Sequence, residues 1–414
     1  MPASPAVSET PRGQRAFGAL LVLVVVATIV ALVVAAVRTP GSRRHSGEND
    51  LGNPPGMMDR LDVFDSIGAW ESGTREGVAV LTAPPRVAPT LVPPARPPVS
   101  GGNPAWTSPE VPTAFAFTEL IPSWNVTAPP GTGLRLDVRV RSAGGAWSPW
   151  MYLGSWGTTR GREKRVTSCR HGAVNVDYLA LRAPADAYQV RVQFTRADAG
   201  RAPALRRLAV SYSGVVADER TRAALAGPAA PAPPAGWARD LAVPFRTQRD
   251  VKGPMSGNIC SPTSVSMVMA YCGVDRPTVE TAQAVYDPDN DLFGNWGRAV
   301  ARAGELGLDA WVTRFRSWDA VKLQIAAGTP VVASIRFKAG EFPGAVLPKT
   351  SGHLIVVRGF TASGDVIVND PASKQRGNGV VYRADELARA WFGHGGVGYV
   401  IRRAEASNST TALR

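Results

Sequence analysis

Hydrophobic and polar positions alternate most cleanly between residues 134 and 141. There Leu134, Leu136, Val138 and Val140 are interleaved with Arg135, Asp137, Arg139 and Arg141. A strand with one face on a core and the other in water has this period of two. Tyr188, Val190, Val192 and Phe194 repeat it against Gln189, Arg191, Gln193 and Thr195. Further runs at 177–182 and 208–213, with an edge strand at 77–81, are separated by Gly, Pro and Asp turns. The pattern predicts an all-β, sandwich-like domain over 62–217.

From residue 240 the periodicity changes. Helical spacing predicts helices over 262–272, 278–286, 296–306, 318–327 and 384–391. Strands are expected over 331–337, 354–360, 365–369 and 397–402. Helices come mostly first and strands later, which predicts an α+β domain over 240–403 rather than a doubly wound sheet.

A third pattern is the uncharged stretch from Phe17 to Val37. It matches the roughly 20 residues that a membrane-crossing helix needs. The expectation is a short tail at 1–16 and a transmembrane helix or signal anchor at 17–37, with everything after it outside the membrane. Val34-Ala35-Ala36 would serve as a cleavage site if the segment is a signal peptide instead, which leaves the remainder secreted. A polar spacer follows at 38–61. Proline-rich stretches at 83–104 and 227–236 read as extended chain, the second marking a linker over 218–239. That linker predicts that the α+β part folds without the β-rich part. Residues 404–414 read as a flexible tail.

Composition adds little to this picture except in charge. The formal net charge is +13, carried mainly by arginine. It reflects either codon bias or attraction to an anionic envelope polymer or acidic substrate. No nucleic-acid-binding module is recognisable, and neither metal nor cofactor is expected; oligomeric state is not legible. Five tryptophans of the β-rich region, Trp106, Trp124, Trp147, Trp150 and Trp156, lie between its proline-rich stretches and either stack on sugar rings or fill its core. Three cysteines exclude a disulfide-rich framework. Cys169 and Cys272 admit either a bridge or separate burial.

The third cysteine carries the chemistry. Cys260 precedes Ser261-Pro262-Thr263-Ser264 and an apolar run, which places it at a helix start, with Ser261 as cap and Pro262 at the first helical position. Free backbone N–H groups there favour a thiolate. His353 opens the strand-like Leu354-Ile355-Val356-Val357, and Asp370 ends the next one. If residues 361–364 form a four-residue hairpin loop, Phe360 pairs with Asp365 and Ile355 lies opposite Asp370. His353 and Asp370 are then diagonal neighbours on one face. A carboxylate beside an imidazole fixes its tautomer and supports the imidazolium formed when it takes a thiol proton. His394, among glycines and with no carboxylate near in sequence, is the competing base. Gln248 is a candidate donor to an oxyanion beside the Cys260 amide.

The order Gln248, Cys260-Ser261-Pro262-Thr263-Ser264, Gly352-His353-Leu354-Ile355-Val356-Val357 and Asn369-Asp370-Pro371-Ala372 resembles the Peptidase_C39-like family. These are papain-like relatives of the peptidase domains that trim double-glycine leader peptides. The region 62–216 likewise resembles the β-rich segment ahead of this domain in exported actinobacterial-type relatives. The resemblance implies a cysteine peptidase with Cys260 as nucleophile, His353 as base, Asp370 as orienting acid and Gln248 as oxyanion donor. Two departures stand out. Ser261 replaces the usual glycine and would crowd the thiol, and the Gln-to-Cys spacing is long. No nucleotide-binding Gly-Lys motif occurs, so coupling to ATP-driven export is not expected. The expected substrate is a peptide, a protein or a cell-wall component. The alternatives are peptidoglycan amide hydrolysis and an inactive fold used for binding.

Overall fold

The computed structural model describes residues 56–82, 88–93, 103–142, 144–159, 164–197, 200–226 and 233–404. The apolar span 17–37, the spacer after it up to residue 55, much of both proline-rich stretches and the tail from 405 lie outside the described residues. Among those described, no helix is long and apolar enough to cross a membrane.

The β-rich strands form one connected, twelve-stranded network in place of two separate sheets. Two long strands join it. Val111–Thr127 pairs with Tyr178–Arg196 along its first half and with Ala204–Val215 along its second. Tyr178–Arg196 also pairs with Thr132–Ser142, through register slips near Ala185. By changing partners along their length, these strands wrap one network around a core of Phe117, Leu134, Val138, Tyr188, Val190 and Leu208, all fully buried. Val111–Thr127 is not visible as period two in the sequence. Its second half, from Leu120 to Val126, is buried on both faces, so no polar face alternates there.

The α+β part follows the expected elements closely. Five helices, Cys260–Tyr271, Thr278–Val285, Trp296–Glu305, Trp318–Ala326 and Ala384–Trp391, pack on a six-stranded antiparallel sheet. The strand order is Asp309–Arg314, Val397–Arg402, Val331–Phe337, Thr350–Phe360, Val366–Asn369 and Val380–Tyr382. The edge strand Asp309–Arg314 is absent from the sequence reading.

That edge strand is where the two parts join. An exposed edge presents unpaired N–H and C=O groups, and here side chains of the β-rich part take them. Asn125 donates to the Ala310 carbonyl at 2.6 Å and accepts from the Ala310 N–H at 3.1 Å; Ser123 Oγ accepts from Val312 N–H at 3.1 Å. Beside the strand, Trp296–Glu305 turns Gly297, Ala301 and Gly304 toward the β-rich part. Gly297 lies against the Trp124 ring, Gly304 against Asn125, and Ala301 belongs to the β-rich core, while Ile121 belongs to the other core. Arg206 and Arg207 pair with Asp309, Arg314 with Glu119, and Arg316 with Asp59 at 2.5 Å. The described residues after the apolar span thus form a single compact unit, and independent folding of the α+β part does not follow from the proline-rich linker.

The tryptophans divide between two roles. Trp106, Trp124 and Trp156 are buried. Trp147 and Trp150 have guanidinium groups over their faces, Arg139 4.8 Å from both ring centroids and Arg191 4.8 Å from Trp150. Those contacts occupy ring faces a sugar would need. All three cysteines are free: Cys272 is buried in the α+β core and Cys169 sits half-buried near Met151, so no bridge forms.

Candidate active site

The Cys260 helix starts two residues earlier than its sequence suggests. Cys260 is the first helical residue, Ile259 is the N-cap with no side-chain hydrogen bond, and Pro262 falls in the first turn. Proline is tolerated there because first-turn amides have no intrahelical partner. Ser261 is not the cap. Its hydroxyl is fully buried against the Tyr399 hydroxyl at 3.2 Å, and it does not line the cleft over the thiol, so the crowding expected of it does not arise. With no side chain capping the helix, its first amides stay free to face the thiol.

Across from this helix start runs Thr350–Phe360, in which His353 pairs with Ile335 and is 3% exposed. The turn after it is one residue longer than expected, and Phe360 pairs with Val366. A bulge at Arg358 absorbs the extra residue, so Val357 faces Val368 and Val356 faces Asn369. Continued one step, this register sets Ile355 opposite Asp370 as predicted. The bulge has its own support. Arg358 pairs with Asp240 at 2.7 Å, and the chain at Arg239 lies so close to Gly359 that any Cβ there would stand 2.1 Å from the Arg239 carbonyl oxygen.

His353 Nε2 and Asp370 Oδ1 are 2.8 Å apart and both groups are buried. The Cys260 thiol is the other neighbour of the imidazole, near enough for each group to shift the other's pKa. Asp370 accepts two more hydrogen bonds, from the Ala372 N–H at 2.9 Å and the Tyr382 hydroxyl at 3.1 Å; Tyr382 in turn accepts from Val346 N–H. Tyr382 is a site residue the sequence reading missed, because nothing local links it to Asp370. The neighbouring Asn369 bonds Arg358, Gly379 and Val243, and Pro371 accepts from Thr247 and Gln248, which pins the Asn-Asp-Pro stretch on both sides.

The electrostatics follow from this arrangement. Burial opposes a charged Cys260, but the His353 hydrogen bond and charge, with the Leu354 and Ser261 amides, outweigh it and hold the thiol below its ordinary value. Burial likewise opposes a charged His353, and the Asp370 carboxylate and the Cys260 sulfur overcome that, pushing it up to about 10. Asp370 is held below the usual carboxylate range: burial works the other way, and the His353 charge, the Ala372 amide and the Tyr382 hydroxyl prevail. A lowered thiol beside a raised imidazole favours moving the proton from sulfur to nitrogen, the direction a thiolate–imidazolium pair requires.

Gln248 is placed differently from its expected role. It is 2% exposed, its Nε2 donates to the Ser256 carbonyl at 2.9 Å, and it braces the loop leading into Cys260 without lining the cleft. Its Oε1 is buried with no partner among the described residues. His394 is exposed on the cleft wall. Burial, then the charges of Arg336 and Lys338, push its pKa down, and no carboxylate is hydrogen-bonded to it.

Cys260 is half-buried at the base of a cleft of about 900 Å³. One side is built from the α+β part, with Gly352, Leu354, Arg336 and His394. The other brings in Met57, Glu119 and the turn from Asn175 to Tyr178, all from the β-rich part.

Comparison with known proteins matches residues 60–213 to the Peptidase C39 N-terminal domain and residues 240–399 to the Peptidase_C39 like family. Among solved structures, a double glycine motif protease from an AMS/PCAT transporter, in complex with its leader peptide, aligns at 18% identity. It covers 40% of this chain and 94% of that one, with a TM-score of 0.29. A putative C39-like peptidase from Bacillus anthracis aligns at 18% identity over 40% of this chain and 100% of that one, with a TM-score of 0.31. No curated protein matches. Both parts of the chain are thus matched in order: it carries a Peptidase C39 N-terminal domain over 60–213 followed by a Peptidase_C39-like domain over 240–399.

Proposed function

We propose that this protein is a cysteine peptidase that cleaves peptide or amide bonds through a Cys260 thioester. The Cys260 thiolate attacks the carbonyl carbon. The His353 imidazolium gives its proton to the leaving nitrogen as the C–N bond breaks, leaving an acyl group on sulfur. Water then attacks the thioester, His353 takes the water's proton, and the C–S bond breaks to release the acid and regenerate the pair. Asp370 orients the imidazole and supports its charge, and Tyr382 holds Asp370. The Cys260 backbone N–H is the proposed oxyanion donor, and Gln248 braces the loop that leads into it.

The observation that carries this reading is the Cys260–His353–Asp370 arrangement, its histidine and aspartate buried and its cysteine lining an open cleft. A surface used only for binding has no physical need for a depressed thiol beside a carboxylate-held imidazole. The sequence expectation that the catalytic part faces the exterior, tethered or released through residues 17–37, is part of the proposal. Reaction of the purified protein with iodoacetamide tests the chemistry. Cys260 is expected to react at neutral pH well ahead of Cys169 and Cys272, and to slow markedly in His353→Ala. A Cys260 whose alkylation ignores His353 would sink the assignment.

A further inference from the structure

The side of the Cys260 cleft that comes from the β-rich part is a turn between the strands Gly172–Asn175 and Tyr178–Arg196. We propose that this turn selects the substrate, forming with Trp296 a subsite for an apolar side chain of the peptide held at Cys260; the inference rests on the peptidase reading above.

Three observations converge on it. First, the turn is strained. The Asp177 N–H bonds the Asn175 carbonyl at 2.8 Å around Val176, whose φ is +61°. Tight turns of this hand are rare, and a β-branched residue at positive φ is an outlier. Glycine would make the same turn without strain. The fold instead keeps an isopropyl group there, on the cleft wall, and strain of this kind gathers at functional sites.

Second, the turn is clamped. The Asp177 carboxylate accepts the N–H of Trp296, the first residue of the helix beside the cleft. The Tyr178 ring stacks on Trp296 with centroids 5.9 Å apart and planes 19° from parallel, and Asn175 donates to the Tyr178 hydroxyl at 2.8 Å. A wall fixed this way can discriminate shape, because a substrate cannot push it aside.

Third, the two sides of the cleft differ in chemistry. Val176, Tyr178, Trp296, Leu292 and Phe293 cluster apolar and aromatic groups at the turn, beside the carboxylates of Glu119 and Asp291, whereas the rest of the lining mixes Ser334, Arg336 and His394 with the aliphatic Ile335, Leu354 and Val397. A peptide seated with its carbonyl at Cys260 therefore meets the large aromatic groups of the cleft only at the turn and Trp296, and that surface suits a Leu- or Phe-like side chain.

The test uses the full chain as Cys260→Ser in detergent, so that it reads binding and needs no thiol chemistry. Fluorescent peptides carrying Leu or Ser at each successive position would be titrated by anisotropy. At one position Leu is expected to bind about 10-fold or more tighter than Ser, and Val176→Gly in the same background to reduce that preference to less than about threefold. Because glycine relieves the turn, the melting temperature of Val176→Gly is expected to hold or rise, a combination that a purely structural role for Val176 does not produce. Absence of any position-specific Leu preference, or a preference that survives Val176→Gly, would overturn the proposal. Failure of the peptidase reading shows separately, as an unreactive Cys260 in the unsubstituted protein.

Discussion

The relay and the cleft above it are assembled in contrasting ways. Cys260, His353 and Asp370 all come from the α+β part, and short-range geometry holds them: a helix start, a strand pair and a bulge that restores register. The cleft is shared. Its apolar wall is made jointly, by Val176 and Tyr178 of the β-rich part and Leu292, Phe293 and Trp296 of the α+β part, and the β-rich part holds none of the relay residues. The comparison teaches that the relay and the wall proposed to select the substrate come partly from separate stretches of chain, joined by Trp296–Glu305 and the edge strand Asp309–Arg314.

The largest effects should come from the relay. Cys260→Ser is expected to lower hydrolysis by at least about 10³-fold while leaving the melting temperature nearly unchanged, since one sulfur is exchanged for a smaller oxygen. Asp370→Asn should reduce turnover by about 10²–10⁴-fold but slow alkylation of Cys260 much less, because it disturbs imidazole orientation more than thiol charge. Equal losses in both assays would mean that Asp370 holds the thiol itself, and the division of roles would fall.

The pH dependence of alkylation sharpens the same point. Cys260 is held low, so its reactivity should persist below the roughly 8.5 of a free thiol and fade only as acid protonates the sulfur. His353 is held high, up to about 10, so the imidazolium partner survives through neutral pH and is lost on the alkaline side. In His353→Ala the acid limb should move up toward the free-thiol range. An unmoved limb would separate thiol activation from the imidazole.

The joint between the parts comes next. Residues 233–404 expressed alone are expected to aggregate or melt without a sharp transition, because removal of the β-rich part uncovers the helix face at Ala301, the carbonyl and amide groups of Ala310 and the ion-paired Asp309. A cooperative melt of that fragment, followed by calorimetry, would show two independent folds. A gentler probe is Gly304→Ala. The added methyl would stand 2.7 Å from Asn125 Cα, and overpacking of this kind costs about 1–3 kcal/mol. The helix-propensity gain of about 1 kcal/mol offsets only part of that, so a lower melting temperature is expected. An increase would mean that the interface has slack.

Among the substitutions around the relay, Tyr382→Phe should have the smallest effect on turnover. It removes one of the hydrogen bonds to Asp370 and leaves the Val346 N–H without its acceptor, at a cost of about 1–3 kcal/mol in stability. Turnover should fall severalfold with KM unchanged, since the hydroxyl positions the carboxylate and touches no substrate. A changed KM would place Tyr382 in the cleft instead.

Much of this protein was determined by local sequence. Five helices and four strands of the α+β part lie close to where the sequence puts them: helices such as Thr278–Val285 and Ala384–Trp391 bury one face, and the buried strands Val331–Phe337 and Val397–Arg402 show as short apolar runs. The relay was legible for a related reason: a thiol at a helix start and a histidine and aspartate on adjacent strands are fixed by short-range geometry, even though the turn between those strands was misjudged by one residue. What only the tertiary structure decided involves groups distant in the chain. Val111–Thr127 and Asp309–Arg314 were missed because each packs against the other part, which buries the polar face that periodicity needs. The spacing of Gly297, Ala301 and Gly304 was available as a sign of close helix contact, but nothing local names the partner. Tyr382 reaches Asp370, and Val176 reaches the cleft of Cys260, only because the chain folds back on itself. Such contacts depend on which surfaces meet, and a linear pattern records only what each surface is made of.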